Sequence, residues 1–148
     1  MTAYKHILVP VDESSTSNHA VAQAINIAKQ GDTKVTLLSV IAVDPFVSVD
    51  FYKVAPALTD YFLKAEQNAQ NHLKEIAQRL TDEGIATETK IVHGVAAAEG
   101  ILAVADEISA DLIVMGSHGR TGFKKLVLGS VAQHVVTHSP LPVLIAKF

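Results

Sequence analysis

Apolar residues along the chain occur in two patterns. Some form short unbroken runs; others recur at every third or fourth position over longer stretches. The unbroken runs predict strands covered on both faces, and the spaced ones predict helices that bury one side. The first run, from His6 through Ile7, Leu8 and Val9 to Val11, is stopped by Pro10. Val35 to Val43 is a second such strand, and Leu112-Ile113-Val114-Met115 and Val143-Leu144-Ile145-Ala146 are two more. Ala86 to Val92 alternates Thr and Glu with apolar residues, which predicts a half-exposed strand at a sheet edge.

Between these runs the period changes. Ala20, Val21, Ala24, Ile25 and Ala28 mark one helical face that ends at Gly31, and the polar residues Asp12 to Ser17 before it supply several N-caps. The longest amphipathic pattern runs through Leu58, Phe62, Ala65, Ala69, Leu73, Ile76 and Leu80 and stops at Gly84. Ile101, Leu102, Ala105 and Ile108 predict a third helix. A fourth opens at Gly129-Ser130 and reaches His138, before Pro140 and Pro142. Strand and helix alternate throughout. The expected fold is α/β: a five-stranded doubly wound parallel sheet, strand order 3-2-1-4-5, with helices on both faces.

A length of 148 residues suits one domain over 1–148, and an apolar content of 49% suits a packed core without staples. The chain has no Cys, which excludes disulfides and thiolate metal sites. The opening MTAYKHILVPVD does not read as a secretion signal, and no apolar run reaches membrane-spanning length, so the cytoplasm is the expected compartment. Net charge is −3, and the densest positive cluster is Arg120, Lys124 and Lys125. That is too little for a nucleic-acid footprint and about right for one small polyanion.

In open parallel sheets a ligand sits at the carboxyl ends of the strands where the winding reverses. Two of those ends carry unusual residues: Pro10-Val11-Asp12 after the first strand, and Gly116-Ser117-His118-Gly119-Arg120-Thr121-Gly122 after the fourth. Gly116, Gly119, Gly122 and Gly129 are half of the 8 glycines in the chain. Glycine lets a ligand approach the backbone, successive exposed N–H groups cradle an anion, and a helix starting at Gly129-Ser130 adds free N–H groups. Neither GxxxxGK[ST] nor a strict GxGxxG occurs, so spacing alone also allows a plain tight turn.

Gly116-x-x-Gly119, nine residues, then Gly129-Ser130 resembles the nucleotide-binding signature of universal stress proteins. The resemblance extends over Lys5 to Asp12, Asp111 to Gly119, Gly129 to Ala132 and Pro140 to Ile145. It implies an adenine-nucleotide site, with ATP or another adenine nucleotide as the ligand and Mg²⁺ on its phosphates. Pro10, Val11 and Asp12 would line the adenosine, Asp12 lying near the ribose or a phosphate-bound metal. Val40 would meet adenine through its backbone, and Met115 and Gly116 would flank the nucleoside. Gly119, Gly129, Ser130 and Val131 would hold phosphates. It also implies a homodimer paired through the last strand, Val143 to Lys147, whose apolar edge calls for cover.

His118 lies inside the loop and can touch a phosphate oxygen or support the loop; Arg120, with Lys124 and Lys125, can neutralise phosphates from outside or form a solvated face. His134 and His138 have a metal-compatible spacing but no third ligand and no adjacent Glu, and read as a solvated or capping pair. His6, His19, His72 and His93 have no partner in sequence and read as structural or surface residues. The expected function is a regulatory, stress-response nucleotide-binding dimer with little or no turnover. Two alternatives are a slow ATP hydrolase or phosphoryl transferase working through Asp12 or His118, and a nucleotide-free dimeric interaction module.

Overall fold

The computed structural model describes residues 4–12, 15–41, 56–117 and 128–147. In chain order its elements are β1 (His6–Pro10), α1 (Ser15–Ala28), β2 (Lys34–Ile41), α2 (Pro56–Asp82), β3 (Thr87–His93), α3 (Ala97–Glu107), β4 (Leu112–Gly116), α4 (Ser130–His138) and β5 (Val143–Ala146). The strands form one sheet in the order β3-β2-β1-β4-β5, and every pairing is parallel. This is the expected doubly wound topology, with the winding reversed between β1 and β4.

Strand residues alternate between two cores, as the period of a pleated strand requires. Ile7, Val9, Val35, Leu37, Leu112 and Val114 pack with α1 and with Leu73, Ile76 and Leu80 of α2. Leu8, Leu38, Ile113 and Met115 face the other way, against α3 and against Ala132 and Val135 of α4. Ile7, Leu8 and Val9 are fully buried, at about 1.5–3 kcal/mol per apolar side chain. β1 is therefore an unbroken apolar run because it is central and covered on both faces.

Element ends follow local chemistry. α2 begins on Pro56, a residue with no N–H to lose in the first turn. It closes at Gly84, whose φ of +78° suits only glycine comfortably, while the Ile85 N–H bonds back to the Leu80 carbonyl at 3.0 Å. α3 starts at Ala97, four residues before the expected Ile101; Ala97 and Ala98 favour helix, and Ala98, three residues before Ile101, is buried in the second core. α1 starts at Ser15, inside the polar stretch Asp12 to Ser17 expected to cap it, and β2 spans Lys34–Ile41. The aromatic residues Phe46, Phe51 and Tyr52 lie outside the described residues.

Candidate functional site

β1 and β4 part at their carboxyl ends. β1 pairs with β2 from His6 to Pro10, but with β4 only at Ile7 and Leu8. The backbone bonds explain the difference. The Val11 N–H donates to the Leu38 carbonyl at 2.8 Å, so odd-numbered residues of β1 turn their polar groups towards β2. Even-numbered ones turn towards β4, as the His6 carbonyl does in accepting the Asp111 N–H at 2.9 Å. Pro10 is next in that even series and has no N–H to give. The proline thus ends the ladder on one side of the strand only, at the point where the winding reverses.

The same parity places Val40. Leu38 faces β1, so Val40, two residues on, faces β1 as well. β1 has by then ended, and among the described residues no group takes the Val40 N–H or carbonyl. Its side chain turns into the second core, packing towards α3. What Val40 presents to the gap is one backbone donor and one backbone acceptor.

Asp12 is half-buried beside this gap. Its N–H donates to Ser17 Oγ at 2.9 Å, which ties the end of β1 to the first turn of α1. Its carbonyl accepts from His72 Nε2 at 3.0 Å. A carbonyl can only accept, so His72 carries its proton on Nε2 there. His72 belongs to α2, 60 positions away. The sequence gives no sign that it braces Asp12, since the partnership exists only once α2 crosses the sheet.

On the β4 side, Ser117 is buried and doubly anchored. Its N–H donates to the Ala146 carbonyl at 2.9 Å, and its carbonyl accepts the Gly129 N–H at 2.8 Å. Gly129 is the N-cap of α4, with φ −63° and ψ 158° and no side-chain cap. Its N–H is therefore committed to the protein, and the anion-binding capacity of the turn lies one step further along. Among the described residues no carbonyl takes the N–H groups of Ser130, Val131 or Ala132. The next amide, that of Gln133, bonds to Gly129 and continues the helix. Three donors that no described carbonyl takes, at a positive helix end, suit an anion.

The other site residues divide. Val11 and Met115 are 6% and 5% exposed, and their side chains fill the first and second cores respectively. They reach the gap as backbone and edge. Pro10, Gly116 and Val131 are half-buried at its rim. His118, Gly119 and Arg120 lie outside the described residues.

The remaining histidines have protein partners or are exposed. His6 Nε2 lies 2.7 Å from Thr36 Oγ1, and His93 Nε2 lies 3.3 Å from Glu66 Oε1. His138 Nδ1 donates to the His134 carbonyl at 2.9 Å with the two rings stacked, which is the capping role expected of that pair. Among the described residues no three potential metal ligands come together, and no helix is long and apolar enough to cross a membrane.

The universal stress protein family model matches residues 3–147. Universal stress protein MJ0531 of Methanocaldococcus jannaschii is 38% identical, the match covering 97% of this chain and 82% of the relative. The solved universal stress protein UspA of Lactobacillus plantarum superposes with a TM-score of 0.88 at 26% identity, covering 99% of this chain and all of the other. A universal stress protein solved in complex with cAMP is 27% identical, with a TM-score of 0.67 over 99% of this chain and 98% of that one. With the β1–β4 parting and the unpaired first turn of α4 in place, these matches fix the lineage: the chain belongs to the universal stress protein family.

Proposed function

We propose that this protein is a regulatory, stress-response nucleotide-binding protein that holds ATP in the gap between β1 and β4. The observation that carries the reading is that backbone groups on both sides of that gap are left unanswered among the described residues. The Val40 N–H and carbonyl stand on one side, and the Ser130, Val131 and Ala132 N–H groups on the other. The first set suits the edge of a purine. The second suits phosphate, each N–H bond to a charged oxygen contributing about 1.5–3 kcal/mol. Asp12 follows β1, the strand that lies between β2 and β4, and a carboxylate there suits ribose hydroxyls or a Mg²⁺ ion on the phosphates. The cAMP complex of the related protein supports an adenine nucleotide as the class of ligand.

In this reading the protein works in the cytoplasm as a homodimer that binds ATP with little or no turnover. Among the described residues β5 is bonded only to β4, and Val143, Leu144 and Ile145 are half-buried in the single chain, so pairing of two β5 edges would cover them. The test is to identify the small molecule released from natively purified protein and to titrate the emptied protein with ATP by calorimetry, before and after Asp12→Ala. Co-purified adenine nucleotide and weaker binding by the variant are expected. An empty protein that ignores ATP overturns the proposal. A light-scattering mass near 15.8 kDa removes the dimer, and single-turnover cleavage dependent on Asp12 replaces the regulatory reading with an enzymatic one.

A further inference from the structure

Gly100 stands inside α3, where glycine costs a helix about 1 kcal/mol relative to alanine. It is buried, and a Cβ added to it would lie 3.1 Å from both methyl groups of Val40 and 3.1 Å from a methyl of Val95. Those separations are tighter than ordinary van der Waals contact. Without a side chain at this position, α3 lies directly on the isopropyl group of Val40, near the carboxyl end of β2. The Val40 side chain and backbone are one rigid unit at χ1, so pressure on the methyls shifts the peptide that faces the gap.

Resting on the nucleotide reading above, we propose that Gly100 is a positioning residue for base recognition. By seating α3 on Val40 it sets the height of the Val40 N–H and carbonyl, and so which purine edge they match. Adenine offers an amino donor beside a ring-nitrogen acceptor, answered by a carbonyl and an N–H. Guanine offers a carbonyl acceptor beside an N–H donor, the reverse order. Two backbone groups at fixed height accept one order and leave polar groups unpaired against the other, so a displacement of a few tenths of an ångström blunts the choice.

The test uses the full chain and three titrants: ATP, GTP and inorganic tripolyphosphate, which lacks a base. Gly100→Ala is expected to lower the ATP-over-GTP preference by about three- to tenfold, the worth of one neutral hydrogen bond. Tripolyphosphate affinity should stay unchanged, and the variant's unfolding midpoint, where the helix gain of alanine opposes the crowding against Val40 and Val95, is measured alongside to confirm folding. Replacing Val40 by Ala in the Gly100→Ala background removes the close contacts with the strand, leaving only that with Val95, and should restore the preference. Val40→Ile presses on the same contact from the strand side and should reproduce the loss, which keeps the test available if Gly100→Ala misfolds. Retained preference in Gly100→Ala and Val40→Ile overturns this role for Gly100. So does a loss that appears equally with tripolyphosphate. A wild-type protein that does not distinguish ATP from GTP instead removes the base-recognition part of the proposed function.

Discussion

The two edges of the sheet are built from the same strands and treated in opposite ways. At the amino edge the protein answers its own polar groups. The Asp111 carboxylate accepts the Lys5 N–H at 2.8 Å and the His6 N–H at 3.0 Å. The Asp111 N–H returns a bond to the His6 carbonyl, the Lys34 N–H donates to the Lys5 carbonyl, and Thr33 donates to the Tyr4 carbonyl. Lys34 and Glu88 pair at 2.6 Å, which holds the exposed Glu88 carboxyl below its ordinary range. At the carboxyl edge Val40 and the first turn of α4 keep donors and an acceptor that no described residue's backbone takes up. Val40 is half-buried and Ser130 exposed, and in the proposed function these are the backbone groups that a nucleotide takes up. On the proposed function, stability is concentrated at one end of β1 and recognition at the other.

The largest expected effect breaks the open edge without touching the closed one. Ser130 is the first helical residue after the Gly129 cap, and the ψ of 158° at Gly129 already suits a following proline. Proline is tolerated at a first helical position, where its missing N–H has no partner inside the helix. Ser130→Pro should therefore leave the unfolding midpoint nearly unchanged while removing one anion donor. ATP affinity should fall by about 1.5–3 kcal/mol, roughly 10- to 150-fold. Ser130→Ala, which loses the hydroxyl but keeps the N–H, separates the two donors of that residue. Calorimetry on both variants checks the claim, and equal affinities for wild type and the proline variant would remove α4 from the site.

Asp111→Ala tests the closed edge. It strips the acceptor from two backbone donors at the start of β1, one of them exposed. Charge-assisted bonds of this kind, discounted for exposure, make a loss of roughly 2 kcal/mol reasonable. Urea denaturation should show it as a lower midpoint at unchanged slope, with ATP affinity per folded molecule preserved. If affinity falls in step with stability, the two ends of β1 are not energetically separate.

Much of this division was legible in the sequence, for reasons that differ by element. β1 and β4 read as buried strands because both faces are covered, and β3 as an edge because Glu88 and Thr89 are exposed. The helix at Ser130–His138 was bounded by glycine and proline. The start of α3 was missed because Ala97 and Ala98 carry little apolar signal, although Ala98 is buried. Pro10 and Gly129 stood out as residue types, but their uses did not. Only the strand parity shows that Pro10 ends pairing towards β4 alone, and only the Ser117 contact shows that the Gly129 N–H is spent. His72 and Gly100 were out of reach in the same way, since each acts on a residue about 60 positions away.

The smallest expected effect sharpens the contrast through pH. His6 lies in the closed edge with Nε2 2.7 Å from Thr36 Oγ1. Burial and the neighbouring Lys34 charge hold its pKa below the ordinary 6.5, against the opposing pull of the Ile108 backbone, Glu88 and Asp111. The folded protein thus binds this proton less readily than the unfolded chain does. Above the unfolded value both states are neutral and His6 makes no difference. As pH falls through about 6.5 the unfolded chain takes up the proton first, so stability declines until the folded state is protonated too. Urea midpoints measured from about pH 7.5 down to about pH 5 should fall more steeply for wild type than for His6→Gln, which cannot titrate. ATP affinity should not show that His6-dependent slope, because His6 is at the far end of β1 from Asp12. A midpoint that declines equally in both proteins would assign the acid sensitivity to groups other than His6.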